Sequence, residues 1–267
     1  MVNDGRAVVL GPGGVVGTAW LLGVAEGLRR NGIELADADL LVGTSAGAIV
    51  GALLADGRDL AAHAEPPTAA GPAPQVDPVV TAQVLELLSG PDAATAWPRV
   101  AELALSASTG PERLRVEGLK AMVGEGDWPH PQLLIPTVDI HSGAPKVWRG
   151  TEGVPVHLVI TASTAMPGMA APVTIDGRRY VDGALRNGSN ADLAEGMSTL
   201  VLIEPLAHLF ATKMPSSVQR VARIVPDPVA LDIFGPDLND GSAWTAVFGT
   251  GLRQGKGAAD EIRSIWA

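Results

Sequence analysis

Ser45 lies in Gly43-Thr44-Ser45-Ala46-Gly47, a G-x-S-x-G set between two apolar runs. A serine at a sharp strand-to-helix turn stands clear of the backbone as a nucleophile for acyl transfer. Such a turn brings strand and helix too close for a Cβ at Gly43 or Gly47. The first N–H groups of the following helix lack intrahelical acceptors and can stabilise an oxyanion. A second glycine cluster precedes it: Gly11-Pro12-Gly13-Gly14-Val15-Val16-Gly17. A loop of this kind aims backbone N–H groups at an anion. One such anion is a dinucleotide pyrophosphate, which asks for G-x-G-x-x-G; glycines at 11, 13 and 17 leave one residue too many. The next strand also ends in Gly43-Thr44-Ser45, where a ribose would want an acidic side chain. A tetrahedral oxyanion fits the loop better. A dinucleotide-binding oxidoreductase remains the alternative reading of residues 11–17.

These residues need a strand and a helix on either side. Ala7-Val8-Val9-Leu10 reads as a central strand, and Thr18 to Arg30 as a helix stopped by Asn31-Gly32. Asp39 to Val42 reads as a buried strand. Ala46 to Ala55 reads as a small-residue helix ending at Asp56-Gly57. From 58 to 130 the composition changes. Glu65 to Pro74 is a proline-rich, extended, mobile loop, and Val79 to Ser89, Ala93 to Ser106 and Glu112 to Val123 are short helices. This insertion is a lid, a wall of an acyl-chain groove, or ordinary covering helices. Leu133 to Ile140 returns to strand, with Pro145 to Trp148 as its hairpin partner. Val156 to Ala162 is helix or strand, undecided by period. Arg178 to Asp182 runs to a strand end, and Thr199 to Ile203 is a further buried strand. Strands interleaved with helices predict an α/β fold, a layered and largely parallel sheet flanked by helices. We expect one domain over 1–267, with a helical C-terminal extension at about 206–267. Ser242 to Trp266 reads as a helix interrupted by glycines at 249, 251, 255 and 257. Its Trp244, Phe248 and Leu252 stripe is read as core.

Composition narrows the function classes. Hydrophobic residues make up 46% of the chain and charged residues 18%, enough for a sizeable core and unlike a disordered chain. Net charge is −10, which argues against a nucleic-acid surface. With no cysteine there is no thiolate metal site, disulfide or cysteine nucleophile. No His or carboxylate cluster has metal-ligand spacing, so neither metal nor cofactor is expected. No apolar run is long enough to span a membrane, and the N-terminus lacks a secretory pattern. The expected location is cytoplasmic, peripheral to membrane at most.

In order and type, the glycine loop at 11–17, the elbow at 43–47 and Asp182-Gly183-Ala184 resemble the patatin-like phospholipases. The resemblance spans roughly residues 5 to 205. It implies a serine acyl hydrolase of patatin-like fold acting on fatty-acyl esters or phospholipids, with transient membrane-surface contact. It further implies that the glycine loop forms the oxyanion hole and that the Asp-Gly-Ala motif supplies the catalytic aspartate. The donors from this loop would be Gly13, Gly14 and Val15. The chain departs from the family at Pro12, which has no N–H, and at Val16, where the family carries Arg or Lys. A catalytically weak lipid-binding or regulatory protein is therefore a further alternative.

A serine hydroxyl needs a base within hydrogen-bond reach. Histidine is the usual one, and this chain offers His63, His130, His141, His157 and His208. His208 follows Asp182 in the order of an α/β-hydrolase triad, but Ser45 follows only the second strand, too early for that fold. His157, in an apolar run, reads as a satisfied core histidine. The preferred arrangement is a Ser45–Asp182 dyad in which the carboxylate takes the serine proton directly. Its pKa needs no strong elevation, since it must stay ionised. Asp139, Asp176 and Asp192 are rival carboxylates. Asp182 is preferred because Gly183 lets its backbone pack closely against the elbow, with Ala184 small enough not to crowd it.

Overall fold

A computed structural model describes every residue except 1, 2, 68–74, 127, 130, 131, 210 and 267. His130 and most of the proline-rich loop lie outside the described residues. In chain order the elements are β1 (Asn3–Leu10), α1 (Gly14–Arg29), β2 (Leu40–Gly43) and α2 (Ala46–Ala55). Next come α3 (Pro78–Ser89), α4 (Trp97–Ser106), α5 (Glu112–Val123), β3 (Leu133–Asp139), β4 (Pro145–Trp148) and α6 (Val156–Ser163). Then follow β5 (Val173–Ile175), β6 (Arg178–Asp182), the single turn α7 (Ala184–Asn187) and β7 (Met197–Ile203). The chain closes with β8 (Arg220–Ile224), α8 (Pro228–Phe234) and α9 (Trp244–Trp266).

The strands form one mixed sheet, in the order β5-β6-β3-β2-β1-β7-β8, with β4 also paired to β3. β3, β2, β1, β7 and β8 run parallel to one another. β4, β5 and β6 add antiparallel pairing at one side. Ala7 to Leu10 and Leu200 to Ile203 are buried on both faces. That is why these segments are unbroken apolar runs rather than alternating ones. On one face Val8, Leu10, Leu41, Val201 and Ile203 join a core with α1, α2, α6 and α9. On the other, Ala7, Val9, Leu40, Val42, Leu200 and Leu202 pack with Ala191 and Ala194 of a short turn.

Residues 156–163 resolve as helix, entered from Pro155, whose fixed φ suits the residue leading into a first turn. Residues 93–106 divide into a short 3-10 turn and α4, with Pro98 in the first turn of the helix. α3 and α4 share Val80, Val84, Val100 and Leu103. Trp97 and Leu185 join them to Val138, Ile140 and Val181 of the sheet, while α5 packs on α6.

Three expectations need correction. α1 begins at Gly14, not Thr18, because Gly17 N–H already closes onto the Gly13 carbonyl at 2.9 Å. The C-terminal extension is not purely helical. β8 extends the sheet beside β7, and the exposed Arg220, Val221 and Arg223 of this edge strand hide its pattern. Finally, α9 is continuous over 23 residues. None of its glycines breaks it, and two of them are packing surfaces. A Cβ on Gly251 would lie 2.3 Å from the Trp20 carbonyl oxygen, and one on Gly255 2.2 Å from that of Val24. Reciprocally, a Cβ on Gly23 of α1 would lie 2.1 Å from the Phe248 oxygen, and one on Gly27 2.4 Å from that of Leu252. The two helices thus meet backbone to backbone along a seam of four glycines. Trp244 and Phe248 are buried as expected, and Leu252 is half-buried.

Candidate active site

β1 and β2 are parallel neighbours with Leu10 opposite Gly43, so the glycine loop and the elbow leave the sheet side by side. The two turns are laced together. Thr44 N–H donates to the Leu10 carbonyl at 3.0 Å, and a Cβ on Gly47 would stand 2.0 Å from that same oxygen. A Cβ on Gly43 would stand 2.5 Å from the Gly47 carbonyl oxygen. Both glycines are therefore steric requirements of the turn. Ser45 itself has φ 54° and ψ −117°, a costly conformation for a residue with a side chain. It has the strained geometry of an elbow from which the side chain projects.

Ser45 Oγ donates to Asp182 Oδ2 at 2.7 Å. β6 brings the carboxylate there. It pairs with β3 so that Thr137 faces Asp182, and Asp182 N–H is held by the Ala165 carbonyl at 3.1 Å. Asp182 Oδ1 accepts from Ala184 N–H at 2.8 Å. Gly183 does meet a close backbone, but it is the Pro136 carbonyl of β3, 2.1 Å from a hypothetical Cβ, and not the elbow as expected. Burial pushes the Asp182 carboxyl up to about 6, against the Ala184 N–H, the Ser45 hydroxyl and the Arg115 charge, which favour the carboxylate. The elevation exceeds the sequence-based expectation, yet the group stays mostly ionised at neutral pH.

Among the described residues, the N–H groups of Gly13, Gly14, Val15 and Ala46 meet no protein acceptor. They lie at the N-termini of α1 and α2, where the helix cannot supply one. Gly14 has φ 63° and packs under the Leu238 carbonyl, which takes the Val16 N–H at 3.1 Å. Val16 is fully buried.

The rival carboxylates are engaged elsewhere. Asp139 is buried, but hydrogen bonds from Arg178 and Ser142 outweigh desolvation and hold its carboxyl below the usual range. Asp192 pairs with Arg186 and Asn187, and Asp176 occupies the exposed β5–β6 turn. His63, His141, His157 and His208 make no hydrogen bond to Ser45 or Asp182. His141 and His208 are exposed. His157 is buried, as expected of a core residue, but its Nδ1 has no partner, so it is not a satisfied one. Among the described residues no three of His, Asp and Glu converge as a metal site.

Three contributors lie outside the residues assigned to the site from the sequence, although Ser163 opens a small-residue and proline segment, 163–169, that the family resemblance implies lines the site. Ser163 Oγ accepts the Ser45 N–H at 3.1 Å and donates to the Pro136 carbonyl at 2.8 Å. Asn190, at φ 57°, donates to Thr44 Oγ1 at 3.1 Å and to the Gly183 carbonyl at 3.0 Å, clamping elbow and Asp-Gly-Ala turn together. Beneath the glycine loop, buried Glu204 accepts from Ser189, Thr212 and Arg223.

A mixed α/β sheet with a serine elbow and a carboxylate converging at its strand ends defines a class of hydrolase-like α/β proteins. The sequence model of the patatin-like phospholipase family matches residues 8–195, and the chain belongs to that family, one of lipid acyl hydrolases. It is 32% identical over 203 residues to uncharacterized NTE family proteins of Mycobacterium bovis and Mycobacterium tuberculosis. That alignment covers 72% of this chain and 48% of theirs, so the chain spans about half the length of these relatives. Among solved structures, VipD from Legionella pneumophila has a similar fold, with a TM-score of 0.50 at 12% identity over 97% of this chain and 67% of that one. Among the described residues, no helix is long and apolar enough to cross a membrane.

Proposed function

We propose that the protein hydrolyses fatty-acyl esters through a Ser45–Asp182 dyad. The observation that carries the reading is the direct 2.7 Å hydrogen bond between a strained serine and a buried carboxylate. Asp182 accepts the hydroxyl proton as Oγ attacks the ester carbonyl. The free N–H groups of Gly13, Gly14 and Val15 are proposed to receive the oxyanion, with Ala46 as a further donor. Collapse expels the alcohol, which takes the proton from Asp182 and leaves an acyl-serine. Water then gives a proton to the same carboxylate, attacks, and releases the fatty acid and Ser45. Ser45 N–H is occupied by Ser163 and serves position instead.

The phospholipid preference and transient membrane contact belong to the same proposal. Val79, Leu85, Leu105 and Leu114 stand exposed on α3, α4 and α5 beside the site, as a lipid-facing surface would. Incubation with a fluorophosphonate probe tests the core of the reading. Ser45 takes the label, and Ser45→Ala loses both label and ester hydrolysis. Labelling at another serine refutes it.

A further inference from the structure

Arg115 reaches the site from α5. Its Nη2 donates to the Thr164 carbonyl at 3.1 Å and to Thr164 Oγ1 at 2.8 Å. Thr164 follows Ser163, which holds the nucleophile's N–H. The guanidinium is thus anchored one residue from the elbow's support. Its Nε is enclosed and has no hydrogen-bond partner. Its charge acts on Asp182, and that of Asp182 on it. The two are not hydrogen-bonded; the carboxylate's oxygens accept from Ser45 and Ala184.

A half-buried guanidinium with an enclosed, unpartnered Nε and only the neutral oxygens of Thr164 as partners is costly to keep. Buried donors are almost always satisfied, and Arg presents five in a planar fork suited to phosphate. A cation whose sole purpose was to hold Asp182 ionised would be expected to donate to it. This one instead keeps donors for an acceptor that arrives with the substrate. An anionic headgroup approaching a chain of net charge −10, beside an ionised Asp182, also needs an offsetting charge. The glycine loop has none to give, since Val16 is apolar and buried.

Resting on the acyl-hydrolase reading, we infer that Arg115 is a specificity determinant that binds the phosphate of a phosphate-bearing acyl ester while its carbonyl sits at Ser45. The preferred substrates are then phospholipids or lysophospholipids, not neutral glycerides.

The test compares a monoacylglycerol with the lysophosphatidic acid of the same acyl chain. The parent favours the phosphate ester in kcat/KM. Arg115→Gln loses roughly 10- to 100-fold on it, the scale of a charge-assisted hydrogen bond, and less than about 3-fold on the neutral ester. Arg115→Lys, which keeps the charge, regains part of the loss. Equal losses on both esters, or none on either, overturn the proposal. A second arm needs no turnover. Calorimetry on Ser45→Ala shows glycerol phosphate binding that Ser45→Ala/Arg115→Gln lacks, and inorganic phosphate binds more weakly. Equal binding by the two variants, or inorganic phosphate binding as tightly, overturns it. If Ser45 escapes fluorophosphonate yet glycerol phosphate binding depends on Arg115, the hydrolase reading fails and phosphate recognition stands.

Discussion

Replacing Asp182 with asparagine should destroy activity and strengthen the fold. The carboxyl titrates near 6 in the folded protein, because burial disfavours its charge, against an ordinary value of 3.8. The difference of about two units is worth roughly 3 kcal/mol. Since the folded-state pKa is raised, this stability is present in full below pH 4 and is lost as pH rises through 6. Above pH 7 the parent therefore holds a buried anion at a net cost of up to roughly 3 kcal/mol, the stabilisation by Ser45, Ala184 and Arg115 already included. Asparagine keeps the shape and an oxygen for the Ala184 N–H without the charge. We expect Asp182→Asn to melt about 2 to 6 °C above the parent at pH 8. The gain should shrink towards zero near pH 4, where the parent carboxyl is neutral too. In the same variant kcat should fall by about 10²-fold or more, with little change in KM, through loss of the proton acceptor. Melting curves across pH 4 to 8 and steady-state kinetics on a short-chain ester supply both readouts. A variant that melts below the parent at pH 8, or gains equally at both ends, refutes the account of Asp182 as a strained, desolvated anion. Near-parental kcat would refute its role as base.

The same carboxyl should place a single rising limb, with apparent pKa near 6, in the pH profile of kcat/KM; a flat profile from pH 5 to 8 would contradict it. No single substitution of His63, His141, His157 or His208 by alanine should abolish turnover; a folded variant down by ~10⁴-fold, the scale of triad damage, would mean a missed base. Asp139→Asn should leave kcat near parental while lowering the melting temperature, because it breaks the Arg178 and Ser142 contacts. Gly251→Ala should cost about 1–3 kcal/mol or more in urea unfolding, whereas Gly249→Ala, with open space around it, should gain up to about 1 kcal/mol.

The approach of Ser45 to Asp182 was legible in the sequence because both residues carry local signatures. Glycines mark the elbow around Ser45, and a glycine follows Asp182 at a strand end. The sheet was legible because buried parallel strands are unbroken apolar runs. What escaped notice acts only through tertiary approach. Ser163 lies 118 residues from Ser45 and Asn190 lies 146 from Thr44, and no spacing rule links them. Arg115 lay within a helix whose boundaries were read correctly, yet an isolated arginine on an amphipathic helix looks like surface. The glycines of α9 were read by helix propensity, which counts them as breaks. Against another helix the missing side chain is what allows the contact, and packing overrides propensity.

The glycine seam also has a consequence in time. β1, which leads into the free N–H groups of the first turn of α1, pairs with β7, and α1 is clasped by α9, contributed some 220 residues later. The local structure of β1 and α1 can form early, but their docking must wait until α9 has been synthesised. Such distant pairings are slow to form. The early chain would spend that interval with the apolar faces of β1 and α1 uncovered, the condition under which chaperones are needed. The glycine loop would then take its final place abruptly, when α1 and α9 find each other.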